Sequence, residues 1–318
     1  MGRIFYKGRS VFITGATGLL GSWLTKRLVE LGANVVILVR DWQPHSALLR
    51  NGYYDKVQRV SGDIRDCALL KRILAEYEVQ NVFHLAAQTI VSIANRDPIG
   101  TLDQNVIGTA KLLEACRSTD TIEHIVVASS DKAYGDSATL PYHEDMPLNG
   151  SHPYDVSKSC SDLVSLMYGT HYDMPVAVTR CGNLYGGGDL NFSRMIPKTI
   201  KNLLEGKPAI VYGDGSMKRD YTYIEDAADA YLTIASKGCR GAYNIAGGEV
   251  RTNLEIAELI GKLIGIDTPP YVVGTQVKEI DSQWLDTEKI KKIGWKPAHT
   301  LEEGLTKTIA WYREYFNG

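Results

Sequence analysis

Three short stretches of the chain hold residues whose types and spacing suit chemistry. Gly15-Ala-Thr-Gly-Leu-Leu-Gly21 follows the β-branched run "SVFIT" and opens an apolar segment of helical period. Glycines at 15, 18 and 21 permit a tight turn and the close approach of a pyrophosphate. The free N–H groups and dipole at a helix start favour such an anion, which makes Thr17, Leu19 and Leu20 of the same turn candidate cofactor contacts. The second stretch, "ASSDKAYG" (128–135), packs two hydroxyls, an acid and a base into Ser129, Ser130, Asp131 and Lys132, where the apolar run "HIVV" ends. The third, "YDVSK" (154–158), begins a helix and sets Tyr154 and Lys158 four residues apart, on one face. A nearby ammonium lowers the pKa of a phenol, so this spacing makes Tyr154 usable as a proton acceptor near neutrality.

These residues need a frame that holds loops at one edge. "SVFIT" (10–14), "NVVILV" (34–39), "KVQRVSGD" (56–63), "NVFHLAA" (81–87), "HIVVASS" (124–130) and "PVAVTR" (175–180) read as short buried strands. Helical periodicity marks 18–32, about 66–77, 103–117 and 154–172. Alternation of this kind predicts an α/β fold of the Rossmann type, a doubly wound parallel sheet. Ligands of such sheets sit at the carboxyl ends of the strands. Past residue 180 the rhythm changes to glycine-rich loops, a short strand and helices, ending in "TLEEGLTKTIAWYREYF". The pattern predicts a dinucleotide-binding domain over 1–180 and a smaller C-terminal α/β substrate-binding lobe over 181–318, some of whose segments can return to the first domain.

Composition narrows the partners. The 318 residues are 44% hydrophobic, enough for a sizeable core, and carry 35 basic against 37 acidic groups. That balance gives no support for a nucleic-acid or membrane partner. The five cysteines are odd in number, widely spaced and never in a CxxC pair, which argues against a disulfide framework or a metal site and for a reducing cytoplasm. The opening "MGRIFYKGRSVFITG" has no apolar signal core, and no run of eighteen apolar residues follows.

Further cofactor candidates lie at strand ends. The second strand runs into Arg40 and Asp41. An arginine there suits the 2′-phosphate of NADP and a carboxylate suits the ribose hydroxyl of NAD, so Arg40 leans the expectation toward NADP. Asp63 in "GDIRD" can hydrogen-bond adenine beside Ile64, and in "FHLAAQ" Leu85 and the small Ala86 and Ala87 let backbone lie against the cofactor. His84, in an apolar run, reads as a satisfied core histidine.

Together these motifs resemble the extended short-chain dehydrogenase/reductase family. Its sugar-nucleotide epimerases and 4,6-dehydratases share "TGATGLLGS", "HLAA", "NVIGT" (105–109), "YDVSK", "RDYTYIEDAADA" (219–230) and the ending "IGWKPAHTLEEGLTKTIAWY" (293–312). Epimerases of the family carry small hydroxyl residues in place of Ser130-Asp131-Lys132, and most dehydratases carry a hydroxyl residue, an aspartate and a glutamate. The Ser-Asp-Lys form is similar to CDP-glucose 4,6-dehydratases. "VRD" at 39–41 is closer to GDP-mannose 4,6-dehydratases, and "LLEGKPAIVYGDGSMKRDYTY" (203–223) to dTDP-glucose dehydratases and UDP-sugar epimerases, so the nucleotide base stays open.

The resemblance implies a nucleoside-diphosphate-sugar 4,6-dehydratase, with a 4-epimerase as the alternative and a non-catalytic dinucleotide-binding regulator as a reading of another class. It assigns Tyr154 to the sugar O4 proton, Ser130 to the same oxygen, Asp131 to the acid and Lys132 to the base or to tuning Asp131, with NAD(P) restored each turn. Gln88, Ser129, Asn183, Arg194 and Arg219 become substrate candidates, Arg219 because a guanidinium pairs bidentately with a diphosphate. "EIDSQWLDTEKI" (279–290) lacks the arginine that related dehydratases use on phosphate. In relatives, helices equivalent to 103–117 and 154–172 form a four-helix bundle, which implies a homodimer.

Overall fold

The computed structural model describes residues 2–274 and 282–317. Its strands are β1 (Ser10–Thr14), β2 (Asn34–Val39), β3 (Gln58–Ser61), β4 (Asn81–His84), β5 (His124–Ala128), β6 (Val176–Cys181), β7 (Asn183–Tyr185), β8 (Ile210–Tyr212), β9 (Lys218–Tyr223), β10 (Gly241–Ile245), β11 (Val250–Thr252), β12 (Tyr271–Val273) and β13 (Ser282–Gln283). Seven of them form one sheet in the order β10-β6-β5-β4-β1-β2-β3. Every pairing in it is parallel.

The strands β1, β2, β4, β5 and β6 are buried at most positions because both faces of the sheet are covered there, whereas the edge strand β3 buries only Val60. Val11 and Ile13 of β1 enter one core layer and Phe12 the other; Val35 and Ile37 of β2 alternate with Val36 and Leu38 in the same way. Each fully buried aliphatic side chain contributes about 1.5–3 kcal/mol. Helices Leu19–Glu30 and Ile224–Ser236 supply the first layer, and helices Cys67–Glu76, Gly108–Arg117 and Pro153–His171 the second.

The helix expected over 103–117 differs in form. It runs as Pro98–Leu102, a π turn at Asp103–Ile107 and then Gly108–Arg117. The π turn carries Asn105, whose buried amide accepts from the Gln88 backbone at 2.7 Å and donates to Ser157 Oγ at 2.8 Å. It thereby ties the loop after β4 to the helix that bears Tyr154.

Beyond β6 the chain builds smaller sheets. β9 is flanked by β11, antiparallel, and by β13 and β7, both parallel; β8 pairs with β12. β10 leaves this region to become the edge strand of the large sheet, beside β6. The terminal helix Leu301–Asn317 packs Leu305, Ile309 and Tyr312 into the same core layer as β1. Among the described residues no helix is long and apolar enough to cross a membrane.

Candidate active site

A cleft of about 1090 Å³ crosses the carboxyl ends of the strands. One end is formed by the glycine turn. Gly15 has φ +75°, and a Cβ there would lie 2.7 Å from the Ala86 nitrogen and the Leu85 carbonyl carbon. Gly21 packs just as closely, since an added Cβ would fall 2.1 Å from the Gly15 oxygen. Gly18 caps helix Leu19–Glu30 without a side-chain hydrogen bond, and a Cβ on it would meet only the Gly15 oxygen, at 3.3 Å. The first N–H groups of this helix are therefore left open at the cleft, beside Thr17, Leu19, Leu20, Ala86 and Ala87. Uncapped donors, a helix dipole and small residues fit the pyrophosphate of a dinucleotide.

Arg40 also lines the cleft, with its Nε donating to Asp41 Oδ2 at 2.7 Å. Ile64 and Leu85 lie on the wall as well. Two expected site residues are not on it. Asp63 accepts from Arg65 Nε at 2.8 Å, Nη2 at 2.9 Å and the backbone nitrogen at 2.9 Å, and the side-chain hydrogen bonds from Arg65 hold its pKa down at about 2. Gln88 turns its side-chain oxygen to the Ile90 nitrogen at 3.0 Å, and both its backbone groups bond Asn105. Sequence offered no sign that local partners would claim these polar groups. His84 is a core residue, held between Thr14 and Thr109 hydroxyls at 2.7 and 2.8 Å, and burial lowers its pKa to about 3.

The acid–base residues meet at the middle of the cleft. Ser130, Asp131 and Lys132 start a short 3₁₀ helix, Asp131–Tyr134, whose cap is the Ser130 hydroxyl accepting from the Lys132 nitrogen at 3.2 Å. Ser130 Oγ also donates to Asp131 Oδ1 at 3.0 Å. Burial raises the Asp131 carboxyl above its ordinary range, against the charges of Lys132 and Arg219 and the Ser130 hydrogen bond. Ser129 lines the cleft with a buried hydroxyl that has no hydrogen-bond partner among the described residues.

Tyr154 faces this turn from the first turn of helix Pro153–His171, which Pro153 starts. Its electrostatics differ from the sequence expectation. Burial, and then the Asp131 charge, raise the phenol, while a hydrogen bond with Ser130 works the other way. Lys158 Nζ donates to the Ala128 carbonyl at 2.9 Å, and burial lowers its pKa to about 8.

The position of the turn is fixed from behind. Tyr134 donates to Asn244 Oδ1 at 2.7 Å and accepts from Arg180 Nη1 at 2.9 Å, and Arg180 is ion-paired with Asp162 at 2.9 Å. Lys132 Nζ donates to the side-chain oxygen of Gln283 in β13. Sequence reading missed Asn105 and Gln283, the first because it was only one letter of "NVIGT", the second because it lies 151 residues from its partner.

The far wall carries the substrate candidates. Arg219 is buried in β9 and lines the cleft. Asn183 lines it from β7. Arg194 reaches it too, although its guanidinium is bonded to Asp189 at 2.6 Å and to the Leu184 carbonyl at 2.6 Å. Of the segment 279–290, residues 279–281 lie outside the described residues.

Comparison with known proteins agrees with this geometry. The sequence is 34% identical over 97% of its length to a trifunctional UDP-glucose 4,6-dehydratase/UDP-4-keto-6-deoxy-D-glucose 3,5-epimerase/UDP-4-keto-L-rhamnose-reductase of Arabidopsis thaliana, and spans about half (48%) of that protein. The fold matches an epimerase of Methanothermobacter thermautotrophicus with a TM-score of 0.90 and 28% identity, covering 99% of this chain and 95% of that one. It matches the dTDP-glucose 4,6-dehydratase of Bacillus anthracis, solved in complex with NAD, with a TM-score of 0.86 and 31% identity over 98% of both chains. The family model described as GDP-mannose 4,6 dehydratase aligns with residues 12–308, from the middle of β1 into the terminal helix, and the chain belongs to that family, within the extended short-chain dehydrogenase/reductases.

Proposed function

We propose that the protein is a nucleoside-diphosphate-sugar 4,6-dehydratase. The observation that carries this reading is Asp131: a buried carboxyl with a raised pKa, on the cleft and bonded to Ser130, in the position that a 4-epimerase has no need to fill with an acid. A non-catalytic regulator would have no use for it either.

The cofactor in this reading is NAD(P), held by the Gly15–Gly21 turn, Ala86, Ala87, Tyr154 and Lys158. When bound, the oxidised nicotinamide supplies an acceptor for the C4 hydride, returned at C6, and a positive charge that favours the Tyr154 phenolate. Tyr154 takes the O4 proton, with Ser130 bonded to the same oxygen. The resulting C4 carbonyl acidifies the C5 proton. Lys132, once it has released its ammonium proton to solvent, takes the C5 proton and Asp131 gives its own to the C6 hydroxyl; the C5–H and C6–O bonds break, the C5=C6 bond forms and water leaves. Lys132 then returns a proton to C5. Tyr154 then holds one proton more and Asp131 one fewer, and passage of that proton from Tyr154 to Asp131 through Ser130, which bonds both, resets the site. Arg219 binds the diphosphate, and Asn183, Ser129 and Arg194 contact sugar or phosphate.

Arg40 supports NADP over NAD, since it lines the cleft and an arginine there would pair with a 2′-phosphate; Asp41, to which it donates, lines the cleft as well. A homodimer is part of the proposal. Ile99, Ile107, Leu163 and Met167 are exposed apolar residues on helical segments that follow one another around Asn105 and Tyr154, as a bundle face requires. Five free cysteines suit a cytoplasmic location.

Incubation with CDP-glucose, GDP-mannose, dTDP-glucose and UDP-glucose tests the reading by mass. One of them should yield a product lighter by one water, and Asp131→Asn should abolish it while leaving cofactor bound. Unchanged mass with every sugar, or full turnover by the variant, removes the dehydratase assignment.

A further inference from the structure

Gln283 is 1% exposed, in β13, directly opposite Arg219 of β9. It does not line the cleft, whereas Arg219 and Lys132 do. Its side-chain oxygen accepts from Lys132 Nζ, and its buried amide also faces the Tyr142 hydroxyl, where it opposes the rise that burial gives that phenol. Of the contacts this amide makes, the one that reaches a cleft residue is the bond to Lys132. The lysine itself needs an anchor, because its four-carbon stem is flexible and its nitrogen has three rotatable donors.

We infer that Gln283 is a positioning residue for Lys132: its amide oxygen holds the lysine nitrogen at the Asp131 end of the cleft for the elimination step. This inference rests on the dehydratase reading. It also gives β13 a role, because the strand that carries the anchor is paired with the strand that carries Arg219. Diphosphate binding and the placement of the C5 base then share one rigid element.

The test uses the full chain with its cofactor and whichever nucleotide sugar it dehydrates. Gln283→Met keeps length and volume but removes the acceptor. It should slow water loss at least tenfold while leaving the first hydride transfer intact, so that the near-ultraviolet absorbance of reduced nicotinamide builds up during turnover. In the Lys132→Ala background the same substitution should have no further effect, because Gln283 acts only through the lysine. Without cofactor or substrate, Lys132 should react faster with a small amine-acylating ester in Gln283→Met, read by peptide mass. Should that variant fail to fold, Gln283→Asn, which keeps the amide but withdraws it by one methylene, should slow water loss at least threefold with the first transfer unchanged. Wild-type elimination in the folded variant, additive losses with Lys132→Ala, or equal loss of both steps would overturn the inference. Failure of the wild-type chain to dehydrate any sugar would instead remove the function on which it rests.

Discussion

Replacing Lys158 by methionine separates what this lysine does for chemistry from what it does to the fold. Lys158 is 5% exposed, and burial lowers its pKa from 10.5 to about 8. At about 1.4 kcal/mol per tenfold, that fall corresponds to a penalty of about 3 kcal/mol for keeping the ammonium charged inside the protein. Methionine removes the penalty but also the bond to the Ala128 carbonyl, which returns about 1–2 kcal/mol. Lys158→Met should therefore be more stable than the parent by about 1–2 kcal/mol at pH 7, and inactive. The pH dependence has a definite sign. The folded pKa is the lower one, so between about 8 and 10.5 the unfolded chain binds more protons than the folded chain, and parental stability rises with pH across that window. Below about 8 both forms are charged and the whole penalty applies. The advantage of the variant should shrink from pH 8 upward and reverse near pH 10. Urea unfolding of the two proteins at a series of pH values measures the difference and cancels the other titrating groups. A stability difference that does not change between pH 7 and 10 would refute the electrostatic account of Lys158.

Other positions give equally direct tests. Gly15→Ala forces a side chain into left-handed backbone, at about 1–2 kcal/mol, and against Ala86, at a further ~1–3 kcal/mol; thermal unfolding should fall accordingly and dinucleotide binding should be lost, and a stable variant that still binds would contradict the described turn. Arg40→Ala should weaken NADP about 10- to 100-fold and NAD little, as expected for a charge-assisted phosphate contact of ~1.5–3 kcal/mol; equal loss for both, by calorimetry, counts against the NADP preference. Leu163→Glu puts a charge on the exposed apolar face and should convert a dimer to a monomer at micromolar concentration by light scattering, and a parent that is already monomeric removes the dimer.

Much of this architecture was legible because parallel strands covered on both faces read as unbroken apolar runs. β1, β2, β4 and β5 are of that kind, and each delivers its motif to the cleft within three residues of its end. Local spacing also placed the glycine turn and the Ser130–Lys132 cluster. Long-range polar pairing was not legible. Nothing in "GDIRD" says that Arg65 bonds Asp63, and nothing in "ASSDKAYG" says that Lys132 turns to Gln283. The tyrosine–lysine spacing gave the right face of the helix but not the electrostatics, which burial and Asp131 dominate once the turn has folded over Tyr154. The π turn at Asp103–Ile107 hid in a sequence of ordinary helical period, and so did the reach of its Asn105 to two other segments.

The central claim, internal hydride transfer with loss of water through Tyr154, Asp131 and Lys132, is tested most directly by following one atom. A nucleotide sugar deuterated at C4, converted by the full chain and examined by mass and proton NMR, should give a product that has lost one water and carries the deuterium at C6. Deuterium retained at C4 in a product of unchanged mass would contradict it.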